Sequence, residues 1–298
     1  MTILIAGASG NLGRRTAELV LEHTDRPELI LVTRHPDKLA DLAERGATVH
    51  SGDFTDPASL PAAFAGADRM LLISTTDFGE VRVAQHRAAI DAAREAGVRH
   101  VAYTSFLNPT VANPTAIVPD HRATEDYLAA SGLEWTFLRS AQWAEWQVPD
   151  GGPDRFPECS VLQTGVLRHN RGEGKSAFVS REDFAAAAVA VLTGGAEHAG
   201  RAYDVTGPEL ISGSRLAELY AQSSGRPVTA EAVSDVQFIE GLVAVGVPDY
   251  VAAVIASFGA ATRLGALEVL TTAVADLTGR PPTPASAVFE AALTPAGA

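Results

Sequence analysis

A single cysteine, Cys159, stands in 298 residues, so no internal disulfide can form. Basic clusters are missing too: the formal net charge is -13, a field that repels a polyphosphate backbone, and no run of Lys and Arg relieves it locally. Direct nucleic-acid binding is therefore excluded as a function class. No apolar run approaches the ~18 residues needed to cross a bilayer, and the Ala-rich stretch from Phe184 to Leu192 is about half that length, so no membrane partner is expected. The eight histidines show neither i,i+4 pairing nor Cys partners, so no metal site is expected. The opening Met1-Thr2-Ile3-Leu4-Ile5 lacks the basic region and cleavage pattern of a signal peptide, which points to the cytoplasm.

What is present is an apolar content of 46%, enough to bury a substantial core, in a length that suits one large α/β unit with an appended lobe. A short apolar strand, Thr2 to Ala6, runs into Gly7-Ala8-Ser9-Gly10-Asn11-Leu12-Gly13, and a second strand, Glu28 to Val32, ends at Thr33-Arg34. Three glycines at this spacing let the backbone turn tightly and approach a pyrophosphate, while the following helix aims its free N–H groups and positive dipole end at the same point. Sites that hold the unphosphorylated dinucleotide usually carry Asp or Glu at the tip of the second strand. Arg34 stands there instead and would pair with a 2′-phosphate, which favours NADP(H).

Strand and helix patterns then alternate: a helix from Pro36 to Arg45, a strand at Ala47 to His50, and a helix with Asp56 as cap and Pro57 in its first position. Strands follow at Arg69 to Ser74, His100 to Thr104 and Trp135 to Arg139, separated by helices at Val81 to Ala96 and Val118 to Ala130. Six strands joined by right-handed crossovers predict a Rossmann-type, doubly wound parallel sheet with its ligand crevice beyond the carboxyl ends of the strands. The expected division is a nucleotide-binding domain over 1–150 and a smaller, mostly helical substrate lobe over 151–298. Pro149-Asp150-Gly151-Gly152-Pro153 breaks the pattern between them, and strand candidates follow at Val161 to Leu167 and Ala177 to Val179. Ser180-Arg181-Glu182-Asp183 resembles a capping box opening a helix through Leu192, and Arg201 to Val205 is a strand that could return to the main sheet. Gly246-Val247-Pro248 and Arg280-Pro281-Pro282 separate short helices in the final stretch. The Ala-rich helices from Phe184 and from Tyr250 could pack internally or form a homodimer.

Small hydroxyl residues at strand ends can hydrogen-bond a ribose or carboxamide, and here they are Ser74 and Thr75 beside Ile73, with Thr104 and Ser105 beside Tyr103. Phe78 and Phe106 could supply a flat apolar wall, and Trp143 and Trp146 suit either a planar substrate or core packing. His121, Thr124, Glu125 and Leu128 are spaced to share one helix face. The Tyr and Lys, four residues apart, that serve conventional short-chain dehydrogenases at this place are missing. Reduction of an unactivated ketone gains about 10²- to 10⁴-fold from a positioned acid, whereas a quinone needs one less. His121 supplies a proton or orients the substrate, or else pairs with Glu125 on a surface. Tyr103, Ser105 and His121 are the catalytic candidates.

These motifs resemble the NmrA-like branch of atypical short-chain dehydrogenases, most closely the bacterial type 2 NAD(P)H:quinone oxidoreductases and triphenylmethane reductases. The resemblance spans nearly the whole chain and rests on the Gly7 loop, Thr33-Arg34-His35-Pro36, Gly52-Asp53-Phe54, Ala102-Tyr103-Thr104-Ser105, and Gly172-Glu173-Gly174-Lys175 leading to Arg181-Glu182-Asp183-Phe184-Ala185. It implies that Gly7, Ser9, Gly10, Asn11, Leu12 and Gly13 hold the pyrophosphate, Arg34 the 2′-phosphate, and Asp53 with Phe54 the adenine side. By the same resemblance Ile73, Ser74, Thr75 and Tyr103 to Ser105 line the nicotinamide ribose, and Lys175 the crevice. The implied activity is NADPH-dependent hydride transfer to a planar conjugated acceptor such as a quinone or polyaromatic. Similar quinone reductases carry Asn-Gly-Trp-Tyr where this chain has Ser140-Ala141-Gln142-Trp143, so its substrate wall differs. The same family contains cofactor-sensing regulators and tailoring enzymes of biosynthetic pathways, the two alternative functions.

Overall fold

In the computed structural model, which describes residues 1–24, 27–148 and 159–293, the first half of the chain alternates strand and helix without interruption. The order is β1 (Thr2–Ala6), α1 (Asn11–Glu22), β2 (Glu28–Thr33), α2 (Ala40–Glu44), β3 (Thr48–Ser51), α3 (Leu60–Phe64), β4 (Arg69–Leu72), α4 (Glu80–Glu95), β5 (His100–Phe106), α5 (Val118–Ala130) and β6 (Glu134–Ser140). Next come β7 (Gln142–Trp143), α6 (Cys159–Thr164), β8 (Val166–His169), β9 (Ser176–Val179), α7 (Arg181–Thr193) and β10 (Arg201–Val205). The chain then runs through β11 (Leu210–Ile211), α8 (Gly213–Ser224), β12 (Thr229–Ala232), α9 (Asp235–Ala244), α10 (Asp249–Arg263), α11 (Ala273–Thr278) and α12 (Ala285–Leu293).

The main sheet has seven strands in the order β10-β6-β5-β4-β1-β2-β3, all parallel. Parallel strands covered on both faces are apolar almost throughout, and the alternation of side chains sorts them between two cores. Ile3, Ile5, Leu31, Leu71, Ala102 and Leu138 face α1 and α7, whereas Leu4, Val32, Met70, Leu72, Val101 and Tyr103 face α3, α4 and α5. Six strands were expected and β10 supplies the seventh, pairing with β6 from Arg201 opposite Thr136 to Val205 opposite Ser140. Chain order reverses between β1 and β4, which opens a crevice beyond the carboxyl ends of those strands.

Several expected elements differ in detail. Pro36 to Arg45 is not one helix: a 3₁₀ turn over Pro36–Leu39 precedes α2. Asp56 occupies the cap position before Pro57, but its side chain makes no capping bond. The strand expected at Val161 to Leu167 is corrected to the end of α6 followed by β8. A short apolar run fits helix and strand equally well, and here β8 pairs with β12, a partner invisible at that range. The breaker Pro149-Asp150-Gly151-Gly152-Pro153 lies outside the described residues.

At the start of α7, Ser180 Oγ accepts a hydrogen bond from the Asp183 amide at 3.0 Å. The reciprocal half of a capping box is absent, because the Asp183 carboxylate turns to Arg280 Nη1 and the Thr283 amide, each at 2.6 Å. Arg15 of α1 donates to Glu182 of α7 at 2.5 and 3.0 Å, locking the two helices side by side. The Ala-rich α7 is thus consumed by internal packing, with Phe184, Ala185, Ala188 and Leu192 fully buried. The smaller lobe contains a three-stranded sheet, β11-β9-β7, the β12-β8 pair, and the helices α8, α9, α10 and α12.

Candidate active site

The turn after β1 has the form that its glycines predict. Gly7 adopts φ +86°, a left-handed conformation that a side chain disfavours, and the Gly7 and Ala8 amides both donate to Val32 O, at 3.0 and 3.1 Å. A Cβ on Gly13 would lie 2.5 Å from Gly7 O and 2.8 Å from Ala8 Cα, so only glycine lets α1 pack this close to the turn. Gly10 caps α1 without a side-chain bond, and the first turn carries no acidic residue. The helix therefore presents unsatisfied N–H groups and its positive end to an anion.

Ser9 Oγ and Thr33 Oγ1 are 2.6 Å apart, and the His35 amide donates to Thr33 Oγ1 at 3.1 Å, tying the first turn to the tip of β2. Arg34 is exposed at this tip. Across from it, Asp53 accepts the Thr55 amide at 2.9 Å, and that bond, followed by the charges of Arg34 and His35, holds its carboxyl below the usual range. Phe54 is half-buried against the core.

A cavity of about 260 Å³ opens beside α1 at the strand ends. It gathers Asn11 and Leu12, then Ile73, Ser74 and Thr75, then Thr104, Ser105 and Phe106, and finally His121 and Trp143. Ser74 N donates to Thr104 Oγ1 at 2.9 Å, so the ends of β4 and β5 are joined there. A larger hollow, about 950 Å³, runs along α3, α4 and α5, beside Val83, Arg87 and Asp91 of α4. It holds none of these groups.

Three expected wall residues stand elsewhere. Tyr103 is fully buried, because strand alternation turns its ring toward α4 and α5, so the expectation that it contacts cofactor or substrate directly is corrected. Phe78 is 40% exposed, its ring beneath the Arg82 guanidinium at 5.2 Å. Lys175 is exposed and not among the cavity walls. Trp143 does both things asked of it, forming the wall while packing edge-on against Phe184 at 5.0 Å.

Behind the wall lies a buried polar cluster. Tyr103 Oη is 2.8 Å from His121 Nδ1, and Arg82 Nη1 is 3.4 Å from His121 Nε2. A guanidinium can only donate, so the network assigns the lone pair of His121 to Nε2 and its proton to Nδ1, directed at Tyr103. Burial first, then the Arg82 and His86 charges, hold His121 well below its ordinary pKa. Burial similarly pushes His86 down to about 3 and raises the Tyr103 phenol. His86 Nε2 accepts the Thr75 amide at 3.0 Å, and Nδ1 faces Thr124 Oγ1 at 3.0 Å. Glu125 does not pair with His121; it binds Arg139 through two bonds of 3.0 and 2.7 Å.

Arg82 is the residue that sequence reasoning missed. It is 5% exposed and lines the cavity, its closest carboxylate is Asp120 at 3.8 Å, and its Nε has no partner. Thr75 Oγ1 and Ser105 Oγ, also on the cavity wall, are buried without partners as well. Buried polar atoms are rarely left unmatched, and ordered water or a ligand can complete those that line a cavity. The available signal was a cation on the buried face of α4, in helical register with Gln85, His86 and Ala89.

A family model described as NAD(P)H-binding matches residues 7–194, from the first glycine of the turn to the end of α7. The chain belongs to this NAD(P)H-binding family. Within it, the chain is 34% identical to quinone oxidoreductase 2 of Escherichia coli over 94% of its own length and 95% of that protein. Its fold matches the NADPH complex of an E. coli NADPH-dependent quinone oxidoreductase with a TM-score of 0.89, at 32% identity, covering 98% of this chain and all of that one. A triphenylmethane reductase from Citrobacter sp. matches with the same TM-score at 29% identity, over 98% and 99% of the two chains. The NmrA-like resemblance read from the motifs is met by these relatives, as is the Rossmann-type sheet.

Proposed function

We propose that this member of the family is an NADPH-dependent reductase that passes hydride to a planar conjugated acceptor, a quinone or polyaromatic, stacked in the strand-end cavity. When bound, the dihydronicotinamide supplies the hydride, which it donates without help from an acid. The residues present fit this coenzyme: the first turn of α1 and the Gly7 loop take the diphosphate, Arg34 the 2′-phosphate, and Asp53 with Phe54 the adenine side. Ile73, Ser74, Thr75 and Thr104 frame the nicotinamide ribose.

One observation carries the choice of acceptor. The cavity offers a buried guanidinium and unpartnered hydroxyls, yet no side chain in it holds a proton ready for release: His121 sends its proton back to Tyr103, and the phenol lies outside the cavity. A ketone would generate a localised alkoxide and need that proton at once. A quinone yields a ring-stabilised oxyanion that Arg82 and Ser105 can hold until water protonates it. Tyr103 is then a positioning residue acting through His121. Phe106 and Trp143 supply the flat wall, and Lys175 stands outside the walls. A cytoplasmic setting fits a coenzyme held in that compartment, and among the described residues no helix is long and apolar enough to cross a membrane.

Steady-state assays with NADPH should show turnover of simple quinones exceeding that of unactivated ketones by at least about 10²-fold. Tight NADPH binding with no acceptor reduced would instead favour a cofactor sensor. Arg34→Ala should weaken NADPH binding by about 10- to 100-fold, the loss of a charge-assisted contact, and leave NADH affinity unchanged. Calorimetric titration of both coenzymes checks this, and equal losses would remove Arg34 from the 2′-phosphate site.

A further inference from the structure

The strand-end cavity adjoins further hollows on its tryptophan side. Gln142, Trp146 and Phe258 line it and also line a second hollow of about 100 Å³ between β8 and α10. Leu167, Arg168 and Phe238 of that second hollow border a third, of about 420 Å³, which runs between β8 and α9 past Val161 and Val245. Three spaces thus adjoin one another through shared wall residues, from the strand-end cavity out along the lobe.

Their chemistry changes along the way. The first cavity holds the unpartnered Thr75 Oγ1, Arg82 Nε and Ser105 Oγ. In the second, the polar walls are tied to their own neighbours: Asn170 Nδ2 donates to Asp235 at 2.8 Å and to Ala256 O at 2.7 Å, and Ser176 Oγ donates to Gln142 at 3.2 Å. Arg171 donates through Nη2 to Gln147 at 2.9 Å and through its amide to His169 Nδ1 at 3.3 Å, its guanidinium lying over the Phe178 ring. Arg168 Nε at the border of the third donates to Glu231 at 3.0 Å. Beside these bonded groups the lining is the carbon of Trp146, Leu167, Leu216, Phe238, Ile255 and Phe258. A polar extension of the acceptor would lose its hydration there without a matching bond, whereas an apolar one gains by leaving water.

We propose that the second and third hollows are a subsite for a hydrocarbon tail, so that the acceptor this protein takes best is a quinone bearing a linear or prenyl-like apolar substituent. The planar head lies against Trp143 and Phe106, and the tail passes between Trp146 and Phe258 toward α9. The second hollow has room for only a few methylenes, so a longer tail runs on past Phe238. This inference rests on the reductase reading for the identity of the head, while the subsite can be measured by binding alone.

The experiment uses one quinone ring carrying no tail, or a straight tail of about two, five or ten carbons, with both kcat/KM and calorimetric Kd on the NADP⁺-loaded protein. Each added methylene should improve both by up to about fourfold until the tail reaches solvent, after which the gain levels off. Ile255→Trp, which fills the second hollow, should flatten the series to within about threefold across all tails, and an unchanged NADPH affinity would show that the variant folds. Affinity independent of tail length in the wild-type protein, or a gain that Ile255→Trp leaves intact, overturns the subsite. A chain that reduces no quinone yet binds tailed ones more tightly keeps the subsite and sinks the reductase reading.

Discussion

Replacing Arg82 with Gln lowers kcat for a tailless quinone by about 10²- to 10³-fold, the cost of removing one preorganised oxyanion partner, and leaves NADPH affinity within about twofold. The guanidinium is 5% exposed and its Nε is unpartnered, so its charge is poorly screened and acts strongly on charge that develops on the acceptor oxygen. Gln keeps a polar donor near the position of Nε but loses the charge and the outer nitrogens of the guanidinium. Asp120 keeps the Gly79 amide at 2.7 Å when Arg82 is lost, so the local fold retains a tie. The informative control is an acceptor of opposite sign. Hydride addition to a cationic triphenylmethane dye cancels a positive charge and creates no oxyanion, so Arg82→Gln should leave that reaction unimpaired or faster. Stopped-flow traces with both acceptors decide the matter, and equal slowing of the two would show that Arg82 serves only the fold.

Stability should fall steeply as pH drops from 6.5 toward 5. Burial, reinforced by the Arg82 charge, pushes His86 down to about 3 and His121 well below its ordinary value. A histidine in the unfolded chain titrates near 6.5. Below that pH the unfolded chain takes up two protons that the folded chain refuses, so stability is intact above about 6.5 and is lost by about 3 kcal/mol for each pH unit below it. His100, lowered to about 4 by burial first and then by Arg69 and His198, acts in the same direction. Glu145 and Asp204, raised by burial, oppose the loss as they protonate. The lowered carboxyls, such as Asp53 and Asp235, add to the loss only at more acid pH. Urea unfolding at pH 7.5, 6 and 5 measures the slope, and a flat midpoint across this range would mean that the histidines are protonated in the fold.

Sequence made the coenzyme half of the structure legible and the acceptor half only in outline. A strand followed by Gly7, Gly10 and Gly13 states its own backbone requirement, since a Cβ at Gly13 collides with Gly7 O. Helical spacing alone gave α5 its limits, Val118 to Ala130. The same spacing put His121 and Glu125 on one face, but it could not say which partners the sheet would bring: His121 met Tyr103 and Arg82, and Glu125 met Arg139. Tyr103 looked like an active-site hydroxyl because it sits near the end of β5, and only the pleat decides that it faces the helices. Arg82 was hidden because a charge on a helix is ordinarily a solvated one, and its burial depends on α5 closing over α4.

The place of β10 has a consequence for how the protein is made. The outermost strand of the coenzyme sheet is encoded some sixty residues after its neighbour β6, and Asp183 is tied to Arg280 and Thr283 still further on. A nascent chain that has released only its glycine turn and first six strands leaves one sheet edge unpaired and lacks the helix that buries Ala102 and Leu138. Its capacity to grip a dinucleotide should therefore arise late in synthesis, when nearly all of the polypeptide has left the ribosome.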